Sequence, residues 1–332
     1  HETPSHIIMP AIHRNARQIA HLFGEKIRGA RRTEDVDELT AIARAVLRRK
    51  FAAADAGVSG VNCAVAETGT LVLIENEGNG RMSTHVPPLH IALMGIEKVV
   101  ERLADVPPLL ALLCRSATGQ AITTYTNLIS GPRGPGERDG PREVHLVILD
   151  NGRSRIHRDP ELRATLRCIR CGACMNHCPV YTRIGGHAYQ AVYPGPIGAI
   201  LTPQIEGVGT RGELPHASSL CGACVEVCPV GIPITDLLIR LRREASHRDA
   251  ASPVLEAGRA RNPWEDRAWA LWRRAHASAG AYRLLSRVLT RLGRLPVPRL
   301  GPLRAWTGAR SAPRPAPRSL HELARERGVP DA

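Results

Sequence analysis

Apolar positions in the first fifty residues recur at three- and four-residue steps, the period of a helix with one buried face. Ile12, Ile19, Leu22 and Phe23 predict a helix from about Pro10 to Lys26. A second is predicted from Thr33, its N-cap, through a first turn carrying Glu34, Asp35 and Asp37, until Gly57 ends it. From Gly60 the pattern changes. Val61–Ala66 and Thr70–Ile74 read as strands around the turn Glu67-Thr68-Gly69, and His90–Met94 is a further short apolar run. Ile96–Ala104 and Pro108–Leu113 return to helical spacing, and Glu143–Leu149 reads as a strand stopped by Asp150-Asn151-Gly152. Strands mixed with helices predict an α/β layer domain over residues 1–155.

Beyond it no strand pattern returns. Asp159-Pro160 caps a short helix leading to Cys168, and Ile234–Glu244 reads as a helix. From Trp264 to Leu295 an amphipathic stripe runs through Trp269, Trp272, His276, Ala279, Tyr282, Leu285, Leu289 and Leu292. Past Pro296 the chain is rich in proline and arginine, a composition that favours extended chain.

Two cysteine runs carry the chemistry. The first is Cys168-Ile-Arg-Cys171-Gly-Ala-Cys174-Met-Asn-His-Cys178-Pro179, and the second is Cys221-Gly-Ala-Cys224-Val-Glu-Val-Cys228-Pro229. The spacing C-x2-C-x2-C-x3-C-P is that of a two-cluster iron–sulfur protein, in which the cysteine before proline crosses to the other cluster. By that rule cluster 1 takes Cys168, Cys171, Cys174 and Cys228, and cluster 2 takes Cys178, Cys221 and Cys224. Three positions before Cys221 stands Ser218, where a full run has cysteine. The fourth corner of cluster 2 is left to Ser218, His216, water or a partner group, or it stays empty as a [3Fe-4S] cluster; otherwise both are [4Fe-4S]. Zinc uses paired C-x2-C motifs but does not explain two runs that each close x3-C-P. Thiols two residues apart suit a metal better than a disulfide. The insert from Val180 to Leu220 is too long for a compact βαββαβ ferredoxin. The prediction is therefore an all-α, helical two-cluster domain over 156–250, followed by a basic tail over 251–332.

Charge sharpens the picture of that tail. The chain carries a net +14, and between Leu237 and Ala332 there are 20 arginines, no lysine and eight acids. This basic amphipathic tail fits docking to a partner subunit first, an anionic membrane surface second and nucleic acid last, since no recognition motif accompanies the charge. No run of 18 apolar residues predicts a membrane span. Cysteines committed to clusters argue for the reducing cytoplasm. The chain starts at His1 without a methionine, which reads as a truncated start.

Other candidates are weaker. Glu75-Asn-Glu-Gly-Asn-Gly-Arg81 follows a strand; it reads as a polar turn, with a small anion such as lactate as the functional alternative. Arg115, Ser116, Thr118 and Gln120 form a second polar group that helix capping explains equally well. His85 and His90 flank Pro87-Pro88, and His90 is expected in the core or at its edge. Cys63 and Cys114 are expected to be buried, inert thiols. Tyr189 and Tyr193 are placed to shield a cluster from water or simply to pack.

These residues together resemble the lactate-utilisation protein B family, the iron–sulfur subunit of a three-protein L-lactate oxidation system. The resemblance runs from Pro4-Ser5-His6 through the tail helix and includes Ser218. Its most specific stretches are Glu67–Asn79, His90–Lys98, Arg115–Gln120, Thr123–Thr126, Ile129–Pro132, Gly186–Tyr189 and Tyr193–Gly198. It implies a LUD-type domain related to sugar-phosphate isomerases and CoA transferases, with Glu75 where such a transferase carries its nucleophile, then a ferredoxin-like domain. The implied role is electron transfer as lactate becomes pyruvate, with partner subunits of the same system; no residue here is an obvious proton or hydride abstractor. Another 2-hydroxyacid such as glycolate, or a nucleic-acid-binding protein with a structural cluster, are the alternatives. The arginine-rich C-terminus departs from the family.

Overall fold

The computed structural model describes residues 3–246, 263–292 and 316–329. The chain divides into two compact units, His1–Arg259 and Ala260–Ala332. The first unit begins without a helix. Residues 5–13 form bends and turns, and α1 spans only Ala16–Lys26. Asn15 and Gln18 cap it reciprocally, which sets the start six residues later than the apolar spacing predicted. The earlier residues are drawn elsewhere: Tyr181 donates its hydroxyl to Ser5 O at 2.6 Å, and Ser5 and His6 are buried. Helix α2 spans Val36–Ala52, capped by Asp35 rather than Thr33, whose hydroxyl accepts from the Asp35 N–H. It ends before Gly57 because Ala56–Gly60 is strand β1, which the sequence did not predict.

Two small sheets follow. The strands are β2 (Cys63–Val65), β3 (Thr70–Glu75), β4 (Leu89–Gly95), β5 (Val99–Val100), β6 (Tyr125–Ile129) and β7 (Glu143–Leu149). One sheet is parallel with order β1-β4-β7, pairing Val58 with Ile91 and Ala92 with Leu146. The other has order β5-β2-β3-β6, antiparallel from β2 to β6, with Cys63 opposite Val72 and Val72 opposite Leu128. Helix α3 (Asn79–His85) replaces the loop expected after Glu75, and α4 spans Val106–Thr118. Ile96–Ala104 is not one helix: it is a 3-10 turn, strand β5 and the start of a second 3-10 turn.

From Arg153 on, every described element is helical. These are α5 (Arg153–Arg158), a 3-10 stretch (Leu162–Arg167), α6 (Ala173–Asn176), α7 (Tyr181–Ile184), α8 (Gly195–Glu206), α9 (Val208–Arg211), α10 (Ala223–Glu226) and α11 (Ile234–Ser246). Their core joins Ile156, Leu162, Ile197, Ile200, Ile234, Leu238 and Leu241, all almost fully buried, and the cysteines pack against it. The second unit holds α12 (Pro263–His276) and α13 (Ala279–Leu292), so the predicted single amphipathic helix is broken at 277–278. Its stripe becomes a chain of rings, Trp272 stacking on His276 at 4.2 Å and His276 meeting Tyr282 at 5.3 Å. The stretch 293–295 of that predicted stripe, and the proline/arginine run 296–315, lie outside the described residues.

Two charged contacts fasten the first unit. Glu97, in the turn after β4, binds Arg153 at 2.6 Å and Arg170 at 3.3 Å, and its side chain is 6% exposed. Gly95 leaves room for that pair, since a Cβ there would lie 2.0 Å from Glu97 Oε2 and 2.6 Å from Arg153 Nε and would displace them. Asp159 accepts from the backbone N–H groups of Glu161 and Leu162 and from Arg240. Burial alone would raise its pKa, but the Arg240 and backbone hydrogen bonds outweigh that and hold the carboxyl below its ordinary value.

Removing Glu97 leaves Arg153 buried without its counter-charge, so Glu97→Ala is expected to cost about 3–5 kcal/mol in urea unfolding. A loss of stability under about 1 kcal/mol at unchanged m-value would contradict this. Asp159 titrates below the unfolded carboxyl value of about 3.9. Its contribution is therefore complete above pH ~4 and lost as pH falls through the depressed folded value. Asp159→Asn is expected to flatten stability against pH in that acidic window; curves that stay parallel to wild type would refute the linkage.

Candidate iron–sulfur site

Each cysteine run folds into the same local shape. Arg170, before Cys171, and Leu220, before Cys221, both adopt left-handed backbone at φ 64° and 58°. Gly172 and Gly222 follow at φ 76° and 87°, a conformation that glycine adopts without a Cβ penalty, and each starts a one-turn helix, α6 or α10. The tight turn aims successive cysteines inward instead of along a strand or long helix. Backbone N–H groups then point at the sulfurs: Arg170 N donates to Cys168 Sγ, Tyr181 N to Cys178 Sγ and Ile232 N to Cys228 Sγ, each at 3.4 Å.

One cavity is lined by Cys168, Cys171, Cys174 and Cys228, with Ile7, Ile169, Ile197, Val230, Ile232 and Ile234 as apolar walls. Three of these cysteines come from the first run and one from the second, 54 residues further on in the case of Cys174 and Cys228. Cys178, Cys221 and Cys224 interact electrostatically as a separate group, through Cys224, and Cys174 is the sulfur that also feels Cys224. Among the described residues no three Cys, His, Asp or Glu side chains converge closely enough for a single metal ion. Cysteine thiolates gathered on one cavity are soft donors that suit iron and sulfide. Burial pushes Cys168, Cys171 and Cys174 up, with neighbouring sulfurs adding to it, and burial pushes Cys224 up to about 11. A metal supplies the positive charge that makes such thiolates affordable. Exposed Cys221 differs: the Ala223 N–H and the Ser219 side chain hold its thiol below the usual range.

Tyr189 is 2% exposed and close enough to Cys178 and Cys174 for their charge to add to the burial that raises its phenol. Tyr193 carries the Arg170 guanidinium over its ring at 4.1 Å. The segment before α1 was not recognised as part of the site by sequence reasoning. Ile7 lines the cysteine cavity, and His6 lies 3.2 Å from where a Cβ on Gly172 would stand. Only its polar, short-period composition could have hinted that it straps another element rather than forming a helix.

The α/β candidates sort differently. Glu75 accepts from the N–H groups of Gly80 and Arg81 at the start of α3 and from Asn127. Arg81 turns to Tyr125, 4.6 Å from its ring, and to Asn127. That arrangement engages the one cation of the Glu75–Arg81 stretch within the sheet region. Asn76 donates to Gln120 at 2.9 Å and accepts from Thr124, uniting the two predicted polar groups. Glu75, Asn76, Thr118, Gln120 and Thr123 line a cavity of about 490 Å³ whose far wall is Ile169-Arg170 of the first cysteine run. Arg115 and Ser116 stand outside it. His90 is a core residue, 1% exposed, with Nε2 2.8 Å from Ser59 Oγ, while His85 sits against Thr84. Cys63 and Cys114 are buried as expected.

Comparison with known proteins agrees with this layout. The LUD domain family matches residues 3–149, the 4Fe-4S dicluster domain residues 164–232, and the family described as lactate utilisation protein B, C-terminal, residues 240–329. The chain is 50% identical over 256 residues to lactate utilization protein B of Bacillus licheniformis, covering 77% of this chain and 53% of that protein. It is 42% identical over 338 residues to the protein of the same name from Anoxybacillus flavithermus, covering 99% of this chain and 68% of that one. With the Oceanobacillus iheyensis protein of that name the identity is 43%, over 98% and 67%. The chain thus spans about half to two thirds of the relatives it matches. A solved DUF162 family protein from Deinococcus radiodurans is 20% identical over 40% of this chain and 84% of that one, at a TM-score of 0.25.

Proposed function

The chain belongs to the lactate utilization protein B family, and on that premise we propose that it is the iron–sulfur electron-transfer component of a system oxidising L-lactate to pyruvate. The observation that carries the reading is the cavity that gathers Cys168, Cys171 and Cys174 with Cys228 of the other run. In this reading those four hold cluster 1, and Cys178, Cys221 and Cys224 hold cluster 2. Both clusters are of the [4Fe-4S] type, the second with a fourth ligand other than cysteine. Such clusters supply one-electron redox chemistry when bound.

The protein's part is to position and insulate. Apolar walls exclude water, and N–H groups aimed at Cys168, Cys178 and Cys228 favour the added negative charge of the reduced state. Lys98 lines a second cavity with Cys168, and Arg170 lies beside the same sulfur, so cluster 1 lies in the more positive surroundings. The sheet region, which we assign to residues 1–155 as an isomerase and CoA-transferase type of LUD domain, offers the polar cavity against Arg170. Lactate turnover is assigned to partner subunits of the same system, and the basic tail, assigned to 251–332, docks one of them. We place this work in the cytoplasm or at the membrane's inner face, where cysteine thiols are kept reduced; among the described residues no helix is long and apolar enough to cross a membrane.

Iron, zinc and acid-labile sulfide should be measured after anaerobic purification, with spectra before and after reduction. About eight irons per chain are expected, or about seven if cluster 2 lacks its corner. About two zincs without sulfide would remove the electron-transfer reading. The crossover is tested by single Cys→Ala variants, which remove the donor atom. Cys228→Ala should deplete the same cluster signal as Cys171→Ala, and Cys178→Ala the same one as Cys224→Ala. Pairing by run instead, Cys228 with Cys224, would refute the assignment.

A further inference from the structure

The two cysteine runs share their spacing and their left-handed turn residues, and the correspondence reaches the place where the second run lacks a thiol. In the first run, Cys168 Sγ accepts the N–H of Arg170, two residues on, at 3.4 Å. In the second, Ser218 Oγ accepts the N–H of Leu220, two residues on, at 3.1 Å. Arg170 and Leu220 share the left-handed conformation, unusual for a side chain with a Cβ, and Gly172 and Gly222 share the next left-handed turn. Ser218 therefore has the backbone relation to Cys221 and Cys224 that Cys168 has to Cys171 and Cys174.

A second feature singles out this serine. Arg242, on α11, donates through Nε to Pro215 O and through a terminal nitrogen to Ser218 O, both at 2.9 Å. Two hydrogen bonds from one planar guanidinium fix the 215–218 segment and bring a permanent positive charge to it. Ser218 is half-buried, whereas His216 is exposed and corresponds to Leu166, a position that supplies no ligand in the first run.

We propose that Ser218 is the fourth ligand of cluster 2, bound through its hydroxyl oxygen and positioned by the same turn that positions Cys168, with Arg242 holding its backbone. This rests on the iron–sulfur reading above and deepens it. On binding, the Ser218 O–H bond breaks, its proton passes to solvent water, and an Fe–O bond forms at the iron that no cysteine holds. No electron changes hands. A hard oxygen in place of a thiolate makes cluster 2 electronically distinct from cluster 1.

The test compares wild type, Ser218→Ala, Ser218→Cys and His216→Ala as full chains purified anaerobically. Each is counted for iron and sulfide, then treated with ferricyanide and examined by electron paramagnetic resonance. Wild type is expected to resist conversion. Ser218→Ala should lose one iron per chain and show a three-iron signal approaching one spin per chain. Ser218→Cys should restore resistance and shift the reduction potential of cluster 2 alone. His216→Ala should match wild type. The proposal fails if Ser218→Ala is indistinguishable from wild type, whether both resist or both convert. It fails equally if His216→Ala is the variant that converts. Absence of iron and sulfide from wild type would sink the iron–sulfur reading itself, whereas full clusters that ignore Ser218 would sink only this assignment.

Discussion

A single buried carboxylate joins the parts of the first unit. Glu97 follows β4 of the parallel sheet, and it meets Arg153 at the start of α5 and Arg170 inside the first cysteine run. Sheet, connecting helix and cysteine loop therefore converge on one acid. Charges taken out of water are tolerated only when paired with good geometry. Two cations on one carboxylate leave a positive excess beside Cys168, which a negatively charged cluster would balance. The ion network and the cluster thus support one another: the acid holds the arginine that shapes the loop, and the loop holds the sulfurs.

Around that joint, local conformation matters more than propensity. The one-turn helices α6 and α10 are too short to be stable alone. They persist because the left-handed residues that precede them set the turn and because apolar residues of α8 and α11 pack around it. The N-terminal segment has the same character. Its backbone and side chains, Ser5 O toward Tyr181 and Ile7 against the cysteines, satisfy groups far along the chain rather than their own neighbours. A cluster that must be kept dry needs such a cover, and the chain draws it from more than 150 residues away, as Ser5 and Tyr181 illustrate.

The chemistry of the site was written in spacing. Cysteines at x2, x2 and x3 before proline, the missing one at Ser218, the sheet-forming runs at Thr70–Ile74, His90–Met94 and Glu143–Leu149, and the helical character after residue 155 are all short-range patterns. Such patterns are readable because ligand spacing and side-chain alternation act within a few residues. The same locality explains the misses. Ala56–Gly60 is rich in glycine and alanine and becomes a strand only because β4 lies alongside it. Tyr125–Ile129 pairs with β3 more than fifty residues away, and nothing nearby announces it. Residues 10–15 have helical spacing, yet Asn15 and Gln18 cap the helix later and the preceding residues pack elsewhere.

What the sequence determined by itself, then, is the donor set and the class of each region, since both depend on residue type and interval. The tertiary structure alone decided that Ile7 closes over the cysteines, that Glu97 binds two arginines from different elements, that Asn76 meets Gln120 across 44 residues, and that Arg81 packs on Tyr125. These depend on where distant backbone segments are brought together, and burial then settles each pairing by the cost of leaving a charge or hydrogen-bonding group without a partner.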